Sequence, residues 1–177
     1  MSQYGGSSYA QPAPPAPGGA PADSAQSKKF AIIGIVGAAL ALVGSLVNWV
    51  VGGSGDDTGG IKGMDGDGVI TLIVSIVAAL ALVGAIVTKK AQLFLGGAVL
   101  SLVTVVFAVI NMADPARLVA AKLESDSGAS AEEAEKAADA VVKAADIGAG
   151  PGLYMVLIGA LLTVIFSFLA FKKSRSN

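Results

Sequence analysis

The densest set of chemically capable groups in the chain lies in Gly52–Gly68, GGSGDDTGGIKGMDGDG, with eight glycines and four aspartates among seventeen residues. Asp56, Asp57, Asp65 and Asp67 offer carboxylates and the glycines offer carbonyls, while a calcium ion takes about six to eight such oxygens. The run DGDG (Asp65–Gly68) matches the opening of a calcium loop. The D-x-[DN]-x-[DN]-G pattern is nevertheless incomplete, and no glutamate closes the loop. So much glycine also makes a pre-organised cage entropically costly. The preferred reading is a flexible outer hairpin whose aspartates keep its tip wet, with calcium binding as the alternative. No other metal and no cofactor is expected.

The remaining candidates are hydroxyls and amides in uncharged surroundings. The chain has no cysteine and no histidine, which excludes disulfides, thiolate chemistry, His-ligated metals and His-based catalysis. Ser45, Ser75, Ser101 and Ser167 lie in apolar blocks with no base beside them, and Tyr154 is the one ionisable side chain inside those blocks. Proton coupling and voltage sensing use charges within the membrane, and here there are none. No glycine-rich phosphate loop follows a strand, and no basic patch suits a nucleic acid. The chain therefore reads as no enzyme and no nucleic-acid binder.

The elements that position these groups are four apolar blocks, Phe30–Val51, Val69–Thr88, Ala91–Asn111 and Gly152–Phe171, each without Asp, Glu, Lys, Arg or His. The 177-residue chain is 54% hydrophobic and 14% charged. A helix rises about 1.5 Å per residue, so each block spans roughly 30 Å, the thickness of a bilayer's hydrocarbon core. The fold class that follows is an all-α membrane protein: a bundle of four transmembrane helices over 28–177, with spans near 30–51, 69–88, 91–111 and 152–171. The first block is too long for a signal-peptide apolar core and lacks a cleavage site, so it is expected to be retained. Lysine pairs Lys28–Lys29, Lys89–Lys90 and Lys172–Lys173 abut the spans and fall on one side. By the positive-inside rule both termini are cytoplasmic. Trp49 and Tyr154 fall near the outer boundary, as interfacial aromatics do.

Outside the spans, residues 1–27 are rich in Gly, Pro, Ser and Ala and predict a disordered cytoplasmic tail, with PAPPAP (Pro12–Pro17) able to adopt polyproline II. The outer segment 112–150 predicts two short helices. Asp114 and Pro115 start the first, which runs to about Leu123 before SDSGAS breaks it. A capping box of Ser130 and Glu133 starts the second, which ends near Asp146 with Gly148 as its cap. Ala134, Ala137, Ala138, Val141, Val142 and Ala145 recur at helical spacing, an alanine-rich stripe expected to rest on the bundle.

Within the spans, small and weakly polar residues keep a heptad rhythm. The first span carries Gly34, Gly37, Ala41, Gly44 and Asn48, and the third carries Gly97, Ser101, Thr104, Ala108 and Asn111. The second has Thr71, Ser75, Ala78 and Ala85, interrupted by Leu82, and the fourth has Gly159, Thr163, Ser167 and Ala170. Such residues let helices approach closely in lipid, so the four stripes are expected to share an interior. Asn48 and Asn111 are placed to approach one another or share a water near the outer end. The repeat AALALVG (Ala38–Gly44 and Ala78–Gly84) is ascribed to composition.

The tail YGGSSYAQPAPPAP and the run GMDGDGVITL resemble small four-span membrane proteins of high-GC Gram-positive bacteria, of corynebacterial and mycobacterial type. The resemblance implies a bacterial plasma-membrane address and assigns no functional residue. Two functions then fit: a structural or accessory subunit of a larger membrane assembly, with a membrane-protein partner or a second copy of itself, and an oligomeric channel or uncoupled small-solute transporter lined by Asn, Ser and Thr. The accessory role is the preferred expectation.

Overall fold

The computed structural model describes residues 22–52 and 59–175. They form α1 (Ala22–Leu46), β1 (Asn48–Gly52), β2 (Gly59–Lys62), a 3-10 turn (Gly63–Asp65), α2 (Gly68–Thr88), α3 (Ala91–Ala113), α4 (Ala116–Ser127), α5 (Ala131–Ala144), β3 (Gly148–Ala149) and α6 (Pro151–Ser174). Four helices, α1 from Ala25 onward, α2, α3 and α6, are long and apolar enough to cross a membrane. The fold is thus the expected all-α bundle of four spans with two short helices between the third and fourth. A small sheet is added at one end. The predicted tail at 1–27 lies outside the described residues up to position 21, and α1 begins at Ala22, inside the segment read as tail.

The spanning helices stand in a ring, α1 against α2 and α6, α3 against α2 and α6, and neighbours run antiparallel. Each turns a heptad seam inward. On α2 this is Gly68, Thr71, Ser75, Ala78, Leu82 and Ala85, and on α3 Phe94, Gly97, Ser101, Thr104, Ala108 and Asn111, all buried. Large apolar residues such as Val36, Leu80, Val99, Val106, Ile158 and Phe168 are exposed on the outer faces. That is the inside-out pattern of a bundle dissolved in lipid, where an apolar surface costs nothing and close approach supplies the attraction.

At one end the first span departs from its expected length. The uncharged block continues to Val51, but the helix stops at Leu46 and the run NWVVG becomes β1. Tryptophan and β-branched valines fit a pleated strand better than a helix. β1 pairs antiparallel with β2, through a bulge between Asn48 and Val50, and with β3 on its other side, giving the order β2-β1-β3. Because β1 directly follows α1 and β3 directly precedes α6, this pairing staples the first span to the fourth. Trp49 lies at the end of the bundle opposite the lysine pairs but is fully buried in protein there, and its indole N–H donates to the Gly44 carbonyl at 3.0 Å. Tyr154 is half-exposed on α6.

The outer segment folds as two helices, with shifted ends. α4 begins at Ala116, one residue later than expected, and ends where Gly128 takes a left-handed φ of 67°. α5 starts with the expected capping box: Glu133 Oε2 accepts from the Ser130 N–H at 3.2 Å and from its hydroxyl at 2.7 Å. Its end is not capped by Gly148, which belongs to β3. The left-handed residue is Asp146, with φ 47°. Ala134 and Ala138 of the alanine stripe are buried against α4, while Ala137 and Val141 are exposed. α4 lies between α5 and the bundle, its Leu118 and Val119 joining Trp49, Leu153 and Val156 in one apolar cluster.

At the opposite end Lys28–Lys29, Lys89–Lys90 and Lys172–Lys173 come together as expected of one side. The α2–α3 connection is only Lys89 and Lys90, closed by Lys89 in a left-handed conformation of φ 56°. Ala31, Leu82, Ala85, Phe94 and Ala170 form the apolar cluster above it.

Candidate functional site

The tightest seam is that between α1 and α6. A Cβ built on Gly37 would sit 2.6 Å from the Gly159 carbonyl oxygen, and one on Gly44 would sit 2.8 Å from that of Gly152. The two glycine pairs are seven residues apart on both helices, so backbone meets backbone at two levels separated by two turns. Thr163 Oγ1, which reaches its own helix's Gly159 carbonyl at 2.8 Å, also lies 3.0 Å from the Gly34 carbonyl. Ser27 Oγ donates to the Ala170 carbonyl at 3.1 Å near the lysine end. Gly34, Gly37, Ala41 and Gly44 thus face α6 as a packing seam. Gly152, not among the expected seam residues, completes it, and its signal was the spacing of seven before Gly159.

Inside the ring lies a set of hydroxyls. Ser45 Oγ and Thr71 Oγ1 are 2.8 Å apart, bridging α1 to α2, and each can also donate to its own helix, to the carbonyls of Ala41 and Gly68. Ser75, Ser101, Thr104, Thr163 and Ser167 are buried as well. Thr104 Oγ1 and Ser167 Oγ have no hydrogen-bond partner among the described residues. A buried hydroxyl without a partner costs about 1–3 kcal/mol, so two of them are notable in an interior otherwise so closely matched.

Leu82 is not the interruption its sequence position suggested. It is fully buried, and its two methyl groups lie 3.1 Å and 3.0 Å from where Cβ atoms on Gly34 and Gly97 would stand. It is a large knob in a hole made by glycines of two neighbouring helices. The missing side chains of Gly34 and Gly97 are what admit it.

Asn48 and Asn111 do not share a seam. Asn48 lies in β1, beyond the helix, beside Gly60 of β2. Asn111 Nδ2 instead donates to Asp67 Oδ2 at 3.1 Å and to the Phe107 carbonyl at 2.9 Å. Hydropathy alone extended the first span through Asn48, where the chain has already left the helix for β1. A small cavity of about 90 Å³ opens above Asn111, lined by Asp67, Asn111, Arg117, Leu118 and Ala121. Its lining is mostly polar, and Asn111 ends the buried α3 seam there.

The aspartate-rich stretch is partly folded down rather than a free loop. Asp65 Oδ2 accepts from the Lys62 N–H at 3.2 Å and lies 4.0 Å from Lys122 Nζ, and Asp67 Oδ2 lies 3.8 Å from Arg117 Nη2. Two of the four candidate calcium ligands thus connect the hairpin to α3 and α4. The other two, Asp56 and Asp57, lie outside the described residues. Among the described residues no group of three or more His, Cys, Asp or Glu side chains is arranged to hold a metal ion. Between α4 and α5 runs a groove of about 290 Å³ that Asp114, Glu124, Glu135 and Asp139 share with Arg117.

The chain is a multi-pass, four-span helical protein of a kind that dwells in a lipid bilayer. No protein-family model, curated protein or solved structure matches it.

Proposed function

We propose that the chain provides an uncoupled path for a small solute through the centre of its own bundle and catalyses no reaction. The observation that carries this reading is the buried polar interior: hydroxyls from Ser45 and Thr71 near the sheet end down to Ser167, two of them unpartnered. Of the two functions the sequence allows, this interior favours the transporter or channel over the accessory role. It also alters the form of that alternative. The stripes face inward within one chain, so the path needs no oligomer to enclose it. The cavity above Asn111 supports access from the sheet end. The lysine pairs support placing the opposite end, with both termini, in the cytoplasm of a bacterial cell. The test is to reconstitute the purified chain in liposomes and follow shrinkage and re-swelling under an osmotic gradient of glycerol or urea. Permeability above that of protein-free liposomes is expected, and equality would refute the path.

The accessory role keeps one specific support. Most of the surface of each span is exposed and lined with large aliphatic residues, and the sheet with α4 and α5 forms a folded platform beside it. Such surfaces suit a membrane-protein partner or a second copy of the chain. Affinity capture in mild detergent with mass spectrometry tests this: one stoichiometric membrane partner, or a defined dimer, is the expected result under that role.

A further inference from the structure

We infer that Leu82 and Ser167 form the closed gate of this path and that the solute it passes is neutral and hydrogen-bonding; the inference rests on the transport reading above. A Cβ on Gly34 would meet Leu82 Cδ1 at 3.1 Å and Ser167 Oγ at 3.4 Å, so an apolar methyl and a hydroxyl converge on the same vacated hole. Leu82 reaches it from α2 while also touching α3 at Gly97, so this one side chain fills the space between three helices. Ser167 reaches it from α6, across the ring from α2. The Ser167 hydroxyl is fully buried and unpartnered there. Ser45 and Thr163 show what such hydroxyls ordinarily do, since each reaches the carbonyl four residues back in its own helix. A serine whose hydroxyl has no partner beside the hole that a leucine methyl also enters is poorly matched to this closed arrangement. It is matched to one in which Leu82 withdraws and a polar molecule takes its place.

The lining decides the solute class. Between Phe30 and Phe171 the spans hold no Asp, Glu, Lys, Arg or His. At the level of Leu82 the hydroxyl facing the hole is that of Ser167. Ion pathways replace a hydration shell with rings of carbonyls or charged side chains. One hydroxyl cannot do so, but it can replace one hydrogen bond of a water, a polyol or a urea. Thr104, equally buried and unpartnered on α3 seven residues toward the sheet end from Gly97, supplies a second such contact on the way.

The experiment compares wild type, Leu82→Ala and Ser167→Ala in proteoliposomes, with glycerol as the neutral probe and potassium and chloride efflux as the ionic ones. Circular dichroism and Trp49 emission confirm folding, and the smaller truncation Leu82→Val serves if Leu82→Ala does not fold. The Leu82 variant should raise glycerol permeability. Ser167→Ala should lower it by about fivefold, the worth of one hydrogen bond, without loss of stability. Glycerol flux in wild type that neither variant alters would overturn the gate and leave the path standing. Ion efflux as fast as glycerol flux would overturn the neutral class. Absence of glycerol flux in wild type would overturn the path and, with it, the gate, whatever the Leu82 variant does.

Discussion

Replacing Gly37 by alanine tests the central packing claim, because its outcome is set by one distance. The added Cβ would stand 2.6 Å from the Gly159 oxygen, 2.8 Å from Thr163 Oγ1 and 2.9 Å from Leu162 Cβ. An ordinary carbon–oxygen contact needs about 3.4 Å, so α1 and α6 must part by about 0.8 Å at this level. A gap of about 0.5–1 Å forfeits a quarter to a half of each dispersion contact it opens. The sheet staple at one end and the Ser27–Ala170 bond at the other resist a free rotation that would relieve it. Overpacking of this kind costs about 1–3 kcal/mol. Alanine also gains about 0.5–1 kcal/mol of helix propensity over glycine, and the control must carry the same gain. Gly96 on α3 is that control, since a Cβ there meets nothing within 4 Å. The difference between Gly37→Ala and Gly96→Ala therefore isolates the steric cost, about 1–3 kcal/mol. Unfolding in mixed micelles can be followed by the emission of Trp49, the single tryptophan, buried in the native bundle. Adding Gly159→Ala to Gly37→Ala should cost less than the sum of the two, because one separation accommodates both methyl groups. Gly37→Ala and Gly96→Ala variants of equal stability would refute backbone contact between α1 and α6.

Other variants probe the remaining contacts. Lys89→Gly relieves a left-handed residue at the α2–α3 turn and should stabilise the bundle by about 1 kcal/mol in the same unfolding assay. In double-mutant cycles, Asn111→Ala should couple to Asp67→Ala by about 0.5–1.5 kcal/mol and be additive with Asn48→Ala, because Asn111 bonds Asp67 and Asn48 lies in β1. Trp49→Phe removes the bond to Gly44 and leaves a void beneath the sheet. It should destabilise by about 1–3 kcal/mol, read by circular dichroism since the emission is lost. The hydroxyl and backbone N–H of Ser130 hold the Glu133 carboxyl below its ordinary pKa. A depressed folded-state pKa contributes stability above the unfolded value and loses it as pH falls through the folded one. Amide exchange in the first turn of α5 should therefore quicken, relative to the intrinsic rate, below the ordinary carboxylate range, and not in Glu133→Gln.

What the residues made legible follows from how local the governing physics is. Four uncharged blocks and three lysine pairs report lipid and water directly, and the spans and the lysine end came from them. The seams also came from residue type, because a glycine or serine at heptad spacing has few other uses in lipid. Less was legible where two environments favour the same residue. Trp49 suits a lipid interface and a buried core equally well in composition. What decides is the β1–β3 pairing between residues about a hundred apart, Val50 with Ala149, which no local pattern discloses. Val47–Val51 is apolar enough for a span, and only its β-branching hinted that the helix ends first. Leu82 looked like a flaw in the α2 stripe because the holes that receive it, Gly34 and Gly97, lie on other helices.

These contacts divide the bundle into unequal halves, and the division bears on where motion can occur. α1 and α6 touch backbone to backbone at two levels, are stapled by the sheet beyond one end and are bonded through Ser27 near the other. Any shift between them must break all of these together. α2 and α3 are joined by a two-residue turn and form an antiparallel hairpin, which also packs on α6 through α3 and must slide on it to move. At the level of Leu82 the hairpin meets α1 through a leucine methyl, and nearer the sheet end through the Ser45–Thr71 hydroxyl pair. A methyl contact slides and a hydroxyl pair exchanges with water, whereas glycine backbones in contact do neither. If Leu82 opens the path, the α2–α3 hairpin is the half that carries it. A disulfide between cysteines placed at the α1–α6 seam should then leave glycerol flux intact, and one joining α1 to α2 should abolish it. The opposite pattern would place the moving seam between α1 and α6 and refute this division.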